Sequence, residues 1–276
     1  MTEISAQLVK QLRDRTGAGM MDAKKALVET GGDIEKAIDA LRAKGLAKAA
    51  KRSERDAGAG VVGIRVGEGK GVAVEVNSET DFVARNDKFL AFAAKIADAA
   101  FEKDGDLDKI LDGAMKEELA NQIATIGENL AIRRADKVEA AHVISYVHNR
   151  LADGIGLIGV LVGIESGADA ARVAETGEQI AMHVAASSPL FLDVADVDEA
   201  TLEREKAVAR DKAIAAGKPA DIAEKMVAGN IKKYYDEAVL LEQAFFIDPA
   251  KKIKDVLKSI SPDARITKFA RFQIGK

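Results

Sequence analysis

The chain has 276 residues without a single cysteine, and it contains three histidines. Without cysteine there can be no disulfide and no thiolate metal site, and the scattered His142, His148 and His183 offer little for a zinc centre. No apolar run approaches the length needed to span a bilayer, and the first residues lack the basic-then-apolar pattern of a signal peptide. We therefore expect a soluble, cytoplasmic protein with no membrane contact, no resident metal and no cofactor.

The chain also lacks an excess of positive charge. Its 41 lysine and arginine residues are outnumbered by 45 acidic residues, which gives a formal net charge of -4. Generic nucleic-acid binding relies on a cationic surface that neutralises phosphates, so this balance argues against it. One basic stretch, Lys44 to Arg55, could still touch RNA. The alternative, which we favour, is that this stretch is a solvated linker.

Motifs for nucleotide chemistry are missing or misplaced. The segment from Gly58 to Gly63 matches the letters of the dinucleotide fingerprint GxGxxG, but it precedes a β-alternating run instead of a helix N-terminus. The sequence contains no GxxxxGK[ST] phosphate-binding loop. No set of nucleophile, base and oxyanion stabiliser can be assembled from it either. We therefore expect that the protein is not an enzyme and does not itself bind a nucleotide.

Residues 1–56 are expected to form a compact bundle of three short helices followed by a basic linker. Apolar residues recur every four positions from Ile4 to Leu12, a second helix begins at Met21, and Asp33 caps a third. We expect this third helix to stop at Gly45. The bundle is similar to a ubiquitin-associated (UBA) module, and we place a domain boundary after the linker.

From residue 57 the apolar period changes from helical to alternating. Val62 to Val66 and Val72 to Val76 alternate around a glycine-rich turn, as in a β-hairpin. Similar glycine motifs, Gly58–Gly63 and Gly154–Gly159, favour an internal duplication. We expect an α+β fold with a duplicated core of antiparallel sheets. The two α+β subdomains are expected at residues 57–140 and at residues 141–192 together with 238–276.

Residues 193–237 are expected to form a projecting antiparallel helical hairpin. Two helical runs flank the breakers Gly217-Lys218-Pro219, which force the chain to reverse. We expect the seam of the hairpin at a thin apolar stripe, typical of a coiled coil, that contains Leu202, Val208, Ile214, Ile222 and Met226. The hairpin could also join two copies of the chain into a homodimer.

The segment Asn77–Asn86, with the sequence NSETDFVARN, places a carboxylate beside a phenylalanine between a Val-rich strand and a helix that starts near Asp87. A rigid strand and a rigid helix would fix Asp81 and Phe82 in place, which suits a wedge that pries a partner apart. The alternative, which the residues by themselves favour, is a plain helix start in which Ser78 opens a capping pattern and Phe82 fills the core.

Four motifs stand out together: Thr16–Leu27 (TGAGMMDAKKAL), the sequence TDFVARN that begins at Thr80, Ile126–Leu130 (IGENL) and Met182–Ser187 (MHVAAS). They occur in the order and spacing that bacterial elongation factor Ts shows. The chain therefore resembles that family, the guanine nucleotide exchange factors of elongation factor Tu, over nearly its whole length.

The resemblance implies that the protein binds elongation factor Tu, GDP-bound or nucleotide-free, and promotes exchange of GDP for GTP. In the family, the segment matching Thr80, Asp81, Phe82 and Val83 dislodges Mg²⁺ from the partner, with the positions of Asp81 and Phe82 inserted between helices of its GTPase domain. The positions matching Arg13, Met20, Met21, Ile126 and Gly127 touch the same domain. His148 matches a histidine in the subdomain that faces the partner's third domain.

A different class of function fits the residues without the resemblance. A UBA-like adaptor or RNA-associated scaffold could act through the basic stretch from Lys44 to Arg55, without exchange activity. That alternative predicts salt-sensitive RNA binding and indifference to Phe82→Ala. The joint occurrence of the four motifs favours the exchange-factor hypothesis.

Overall fold

Helices pack on both outer faces of a curled antiparallel sheet. A computed structural model describes residues 4–217 and 219–275. The helices within these residues are α1 (Ala6–Thr16), α2 (Met20–Glu29), α3 (Ile34–Arg52), α4 (Asp81–Ala84), α5 (Asp87–Glu102), α6 (Leu107–Ile110), α7 (Gly113–Ile126), α8 (Ala170–Ser187), α9 (Glu199–Ala215), α10 (Ala220–Ala238) and α11 (Ile253–Ile260). The strands are β1 (Ala59–Gly67), β2 (Lys70–Ser78), β3 (Leu130–Glu139), β4 (His142–Ala152), β5 (Ile155–Glu165) and β6 (Arg265–Gln273). The expected α+β class is confirmed. None of the helices in the described part of the chain is long and apolar enough to cross a membrane.

Helices α1 to α3 pack around a small core of their own. Ser5 and Asp33 cap α1 and α3, and their side chains accept the N–H groups of Leu8 and Lys36 at 3.2 and 3.1 Å. The buried residues of this core are Val9, Leu12, Ala23, Ala26, Leu27 and Ala37. Isolated helices of this length are marginal in water, so the shared burial is what stabilises them.

The third helix was predicted to stop at Gly45, but it continues to Arg52. Gly45 is a packing position, because a Cβ there would lie 3.3 Å from the Cβ of Ala124 on α7. Farther along α3, Arg52 donates from Nη1 to the carbonyl of Ile123 at 2.8 Å. The glycine lets two helices cross closely, so the segment interpreted as a basic linker with partial helicity is a helix docked on the core up to Arg52.

The basic side chains of α3 are engaged within the fold. Lys44 and Lys48 donate to the two carboxylate oxygens of Asp22 at 2.9 and 3.1 Å. Hydrogen bonds from Lys44 and then from Lys48 lower the pKa of Asp22 below its usual value. Arg42 forms an ion pair with Glu117 of α7. These contacts leave less free cationic surface than the sequence suggested.

One antiparallel sheet, and not two, runs through the core. Within the described residues it has six strands in the order β3-β2-β1-β5-β4, and β6 pairs with β5. Strand β1 joins β5 through two residue pairs, Val62 with Gly156 and Gly63 with Ile155. Strand β6 pairs with β5 from Ile158 to Glu165. Because β1 and β6 share one edge of β5, the two halves of the sheet can fold face to face.

Three clusters of buried side chains fill the space between the layers. On one outer face α5 covers β2, and the contact buries Val72, Val74, Val76, Phe89 and Phe92. On the other outer face α8 and α11 cover β5, and the contact buries Val160, Val162, Ile164, Ile180 and Leu257. Between the two half-sheets lie Val62, Ile64, Ala73, Val138, Leu161, Ala270 and Phe272. The central strands β1, β2 and β5 are thus buried on both faces over most of their length.

Two glycines set how closely the half-sheets approach. A Cβ on Gly159 of β5 would lie 2.5 Å from Cγ1 of Val62, and a Cβ on Gly71 of β2 would lie 2.8 Å from Cγ1 of Val143. Protein interiors are close-packed, so a side chain at either position would force the layers apart.

The two halves repeat one topology of hairpin, helices and closing strand. In each half the second strand is central: β2 pairs with β1 and β3, and β5 pairs with β4 and β6. The two glycine motifs do not mark equivalent positions in this repeat. Gly58–Gly63 leads into the first strand of one half, whereas Gly154–Gly159 leads into the second strand of the other.

Helices α9 and α10 pack against each other on either side of the reversal, where Gly217 has a φ of 65°. Their seam is not the predicted stripe. The larger residues of that stripe are half-buried (Leu202 and Met226) or exposed (Val208, Ile214 and Ile222). The buried residues are small: Ala209, Ala213, Ala223 and Val227. Their four-residue spacing keeps them on one face of each helix and allows a close approach.

Candidate functional site

Helix α4 presents Phe82 to solvent between β2 and α5. Phe82 is 83% exposed, and Asp81 beside it is also exposed. Ala84 is buried, and Val83 is half-buried against the core. We call residues 80–83 the wedge. One side of this short segment is anchored in the core, and the other side is exposed to solvent. The alternative in which Phe82 fills the core is wrong.

Side-chain hydrogen bonds hold both ends of the wedge. Thr80, and not Ser78, caps α4: its Oγ1 accepts the N–H of Val83 at 3.3 Å. The buried Ser78 donates from Oγ to the carbonyl of Thr80 at 2.9 Å. At the far end, Asn86 caps α5 by accepting the N–H of Lys88 at 3.0 Å. A four-residue helix cannot hold itself, so these neighbours determine its geometry.

Two glutamates tie the wedge to the turn after α7. Glu128 accepts twice from Thr80, with the backbone N–H 3.0 Å from Oε2 and the hydroxyl 2.7 Å from Oε1. Oε1 of Glu79 accepts the N–H of Asn129 at 2.6 Å and lies 3.5 Å from Nη1 of Arg55. Each carboxylate thus accepts a hydrogen bond from the chain segment that carries the other carboxylate. Hydrogen bonds to a charged acceptor are the stronger kind.

Ile126 and Gly127 form the turn that leads to Glu128. Gly127 has a φ of 94° and ends α7 by donating its N–H to the carbonyl of Ile123 at 3.0 Å. Ile126 packs against the same core cluster as Val83. The structure therefore brings the predicted contact residues of this turn together with the wedge.

Met20, Met21 and Arg13 lie around the start of α2. The two methionines are 61% and 76% exposed. Arg13 donates from Nε to the carbonyl of Ala18 at 3.4 Å, which holds it over the loop between α1 and α2. This loop, Thr125 and Lys88 line a cleft of about 580 Å³ between the N-terminal helices and the core. The loop that precedes the methionines thus lies near Thr125, which comes just before the turn at Ile126–Gly127.

His148 is exposed near the end of β4, opposite Ile158 of β5. Its Nδ1 lies 3.1 Å from the hydroxyl of Tyr146. The next residue, Asn149, lines a cavity of about 250 Å³ together with Asp81. The structure therefore places Asp81 of the wedge and Asn149, the neighbour of His148, around one cavity.

Sequence reasoning missed Glu79, Glu128 and Asn129. The IGENL motif is one of the four that carry the resemblance, but the resemblance assigns a contact role only to its first two residues. Glu79 lies just before the TDFVARN motif, and Glu128 lies within the IGENL motif. The pairing of the two segments depends on the tertiary fold and is not visible in the spacing.

A further polar group is buried beneath α8, in the half of the core that does not carry the wedge. Nε2 of His183 lies 2.9 Å from Oε1 of Gln243, and Nδ1 accepts the N–H of Phe246 at 3.4 Å. Because a backbone N–H can only donate, Nε2 carries the ring proton. Burial lowers the pKa of His183, while the hydrogen bond with Gln243 opposes that shift. The imidazole is therefore neutral and structural.

Comparison with known proteins adds independent information. The family model described as Elongation factor TS matches residues 79–276. A relative from Paramagnetospirillum magneticum, named Elongation factor Ts, is 52% identical over 289 residues, which cover 100% of this chain and 93% of the relative. Relatives of the same name from Rhodospirillum centenum and Brucella anthropi are 49% and 51% identical, cover 100% and 99% of this chain, and are themselves covered over 94% and 93% of their lengths.

The match of the family model begins at Glu79, at the base of the wedge, and takes in Glu128 and the whole second half of the core. The similarity to the relatives extends across the N-terminal helices as well. The chain therefore belongs to the elongation factor Ts family, whose members take part in translation elongation.

Proposed function

We propose that the protein binds elongation factor Tu in its GDP-bound form, promotes release of GDP and leaves the site open for GTP. The observation that carries this proposal is Phe82, which is 83% exposed on a short helix held at both ends. A large apolar side chain displayed in this way suits insertion into a partner. Membership of the elongation factor Ts family supports the choice of partner.

The mechanism is thermodynamic linkage. A protein that binds the nucleotide-free GTPase better than the GDP-bound form must weaken GDP binding by the same factor, since coupling is reciprocal. Burying the side chain of Phe82 in the partner would contribute roughly 1.5 to 3 kcal/mol. This free energy becomes available where the helices of the GTPase domain have parted, so it favours the open state.

Asp81 adds a negative charge at the tip of the wedge. Mg²⁺ holds the phosphates of a bound nucleotide and demands near-ideal octahedral geometry, so a small shift of its ligands weakens both. A carboxylate brought close to the phosphates would repel them and add to that shift. In this proposal the wedge displaces Mg²⁺ and GDP together.

No covalent bond is made or broken in this process, so we propose an exchange factor and not an enzyme. The protein would lower the barrier to nucleotide release in both directions. The excess of GTP over GDP in the cytoplasm, where we place the protein, would then set the direction. The nucleotide and its magnesium would belong to the partner throughout.

We further propose that the partner is held at more than one place. Arg13, Met20 and Met21 in a UBA-like unit of residues 1–56 would contact the GTPase domain, together with Ile126 and Gly127 in the subdomain of residues 57–140. His148, in the subdomain of residues 141–192 and 238–276, would contact the partner's third domain. The cleft beside the loop before Met20 and the cavity that Asp81 and Asn149 share support this arrangement.

The helical hairpin of residues 193–237 is proposed as a site of self-association. Ile214 is 63% exposed, and Val208 and Ile222 are exposed as well. Apolar side chains outside the alanine seam are available to a second copy of the chain. Sedimentation of the wild type and of Ile214→Lys tests this: a concentration-dependent dimer that the variant abolishes is expected, and a wild type that stays monomeric contradicts it.

The RNA-associated alternative receives less support from the fold. Lys44 and Lys48 are paired with Asp22, and Arg52 is bound to a carbonyl of α7. A segment that neutralises phosphates needs free cationic groups. The contacts of α3 therefore favour the exchange-factor proposal.

Stopped-flow release of fluorescent GDP from elongation factor Tu tests the proposal. The wild type should accelerate release strongly, and Asp81→Ala and Phe82→Ala should each reduce that acceleration. Asp108→Ala and Leu190→Ala are matched controls, because both residues are exposed and lie outside the proposed contacts. No acceleration by the wild type would refute the exchange function, whereas full acceleration by both wedge variants would refute the role of the wedge.

A further inference from the structure

Reciprocal hydrogen bonds to two glutamate carboxylates join the base of the wedge to the turn after α7. Thr80 donates its N–H and its hydroxyl to Glu128, and Asn129 donates its N–H to Glu79. We call these four residues the brace. We propose that Glu128, supported by Glu79, is a positioning residue for nucleotide exchange, which holds the wedge at the angle needed for insertion. The inference rests on the proposed exchange function.

Glu128 controls the hydroxyl that caps the wedge. Oγ1 of Thr80 donates its proton to Glu128 at 2.7 Å and accepts the N–H of Val83 at 3.3 Å. A hydroxyl has one proton, so committing it to Glu128 leaves a lone pair aimed at Val83. Linked hydrogen bonds of this kind polarise one another. Without Glu128 the hydroxyl could rotate, and the first turn of α4 would lose its fixed orientation.

The brace also joins segments that are distant in sequence. Asn129 is buried and donates from Nδ2 to the carbonyl of Arg55 at 2.8 Å, while Arg55 faces Glu79. The segment that leaves α3, the base of the wedge and the turn after α7 therefore meet at one point. A load applied to Phe82 during insertion would be carried by these segments together, so the turn that bears the wedge would not bend.

This arrangement separates two kinds of effect on exchange. Contacts at the N-terminal helices and at His148 lie outside the brace, so they should continue to supply affinity for the partner when the brace is broken. The angle of Phe82 matters at the step in which the GTPase helices part. Loss of Glu128 should therefore lower the maximal rate of GDP release and change the half-saturating concentration little.

The experiment is a titration of elongation factor Tu carrying fluorescent GDP with the full chain in a stopped-flow instrument. For Glu128→Ala we expect a plateau rate about tenfold lower, since small misplacements of an acting group have effects of this size. Glu128→Gln should recover part of the loss, because its amide oxygen can accept the N–H of Thr80 and its NH₂ can face Oγ1. Glu102→Ala, at an exposed glutamate of α5, should keep the wild-type plateau. A wild-type plateau in Glu128→Ala would overturn the proposal.

A double-mutant cycle shows whether Glu128 acts through the wedge. In a background that carries both Asp81→Ala and Phe82→Ala, Glu128→Ala should lower the plateau no further, because neither of the two acting side chains of the wedge remains to be positioned. The same fold-loss in both backgrounds would mean that Glu128 acts independently of Asp81 and Phe82, which contradicts the proposal.

Amide hydrogen exchange in the free protein tests the brace without the partner. Glu128→Ala should speed exchange at Thr80 and Val83, and Glu79→Gln should speed it at Asn129. If the wild type fails to release GDP, the proposed function falls, and this measurement still decides whether the brace exists. Unchanged exchange at Thr80 in Glu128→Ala would overturn the brace even where GDP release is normal.

Discussion

At the scale of single residues, Glu75 shows how the fold accommodates a buried charge. Its carboxylate is fully buried, with Nε of Arg134 2.7 Å from Oε2 and Nη1 of Arg133 3.8 Å from Oε1. Asn77 donates from Nδ2 to Oε1 at 3.1 Å. The guanidinium of Arg134 also lies 4.4 Å from the centre of the Phe272 ring, across the gap between the half-sheets. The carboxylate is buried, whereas Arg134 is partly exposed.

This difference in exposure predicts an asymmetry between two variants. Arg134→Met leaves a buried charge without its main partner, so it should destabilise by about 3 kcal/mol. Glu75→Gln removes the buried charge and leaves an arginine that water can reach, so about 1 kcal/mol is expected. Urea denaturation measures both, and combining the two changes should cost less than Arg134→Met alone. Equal losses from the two single variants would contradict this account.

His183 predicts a dependence of stability on pH. Its pKa is lowered in the folded state, so the unfolded chain binds more protons there and stability rises with pH. The contribution is complete above the ordinary pKa of 6.5 and is lost as the pH falls below it towards the folded pKa. Urea denaturation of the wild type and of His183→Gln at about pH 8 and about pH 5.5 measures the effect. The wild type should lose more stability than the variant on acidification, and parallel losses would rule out this role.

At the scale of elements, the docking of α3 on α7 distinguishes two helical glycines. Gly229 in α10 has open space where a Cβ would be, so Gly229→Ala should stabilise by about 0.5 to 1 kcal/mol. Gly45→Ala has the same intrinsic gain, but its Cβ would press on Ala124, so no gain or a loss is expected. Thermal unfolding of the two variants beside the wild type provides the comparison. An equal gain at both positions would mean that α3 is not held against α7.

The elements were predictable where apolar spacing determines them. The alternation around residues 62–76 gave a hairpin, and the caps at Asp33 and Asn86 start helices where the sequence places them. The end of α3 was not predictable, because Gly45 breaks an isolated helix but permits close packing in a folded one. The seam of the helical hairpin was predicted at large apolar residues, whereas the contact is made by smaller residues at four-residue spacing, three alanines and Val227.

The candidate site was predictable only in part from the sequence. The exposure of Phe82 was expected from the resemblance to elongation factor Ts, because its place between a strand and a helix alone favoured a side chain that fills the core. The brace was not, since Glu79 and Glu128 are joined by a strand pairing and a helix packing that no local pattern reveals. The sequence analysis predicted more than one sheet, whereas two residue pairs between β1 and β5 join the two halves into a single sheet.

At the scale of the whole molecule, the proposed contacts should separate affinity from rate. His148→Ala should raise the half-saturating concentration for GDP release and leave the plateau rate near that of the wild type, since it removes a contact made throughout. Phe82→Ala should instead lower the plateau rate and leave the half-saturating concentration near that of the wild type. Titrations with elongation factor Tu measure both parameters for each variant. A lower plateau in His148→Ala with an unchanged half-saturating concentration would mean that this histidine takes part in opening the nucleotide site.

The glycines between the half-sheets affect the spacing of the residues that are proposed to contact the partner. Phe82, on the helix that follows β2, and His148, on β4, belong to different halves of the core, so the distance between them depends on how far apart the half-sheets stand. Gly71 and Gly159 fix that separation by leaving no room for a methyl group. The packing between the half-sheets thus sets the distance between the proposed contact residues. A methyl group added at Gly71 or Gly159 would change that distance.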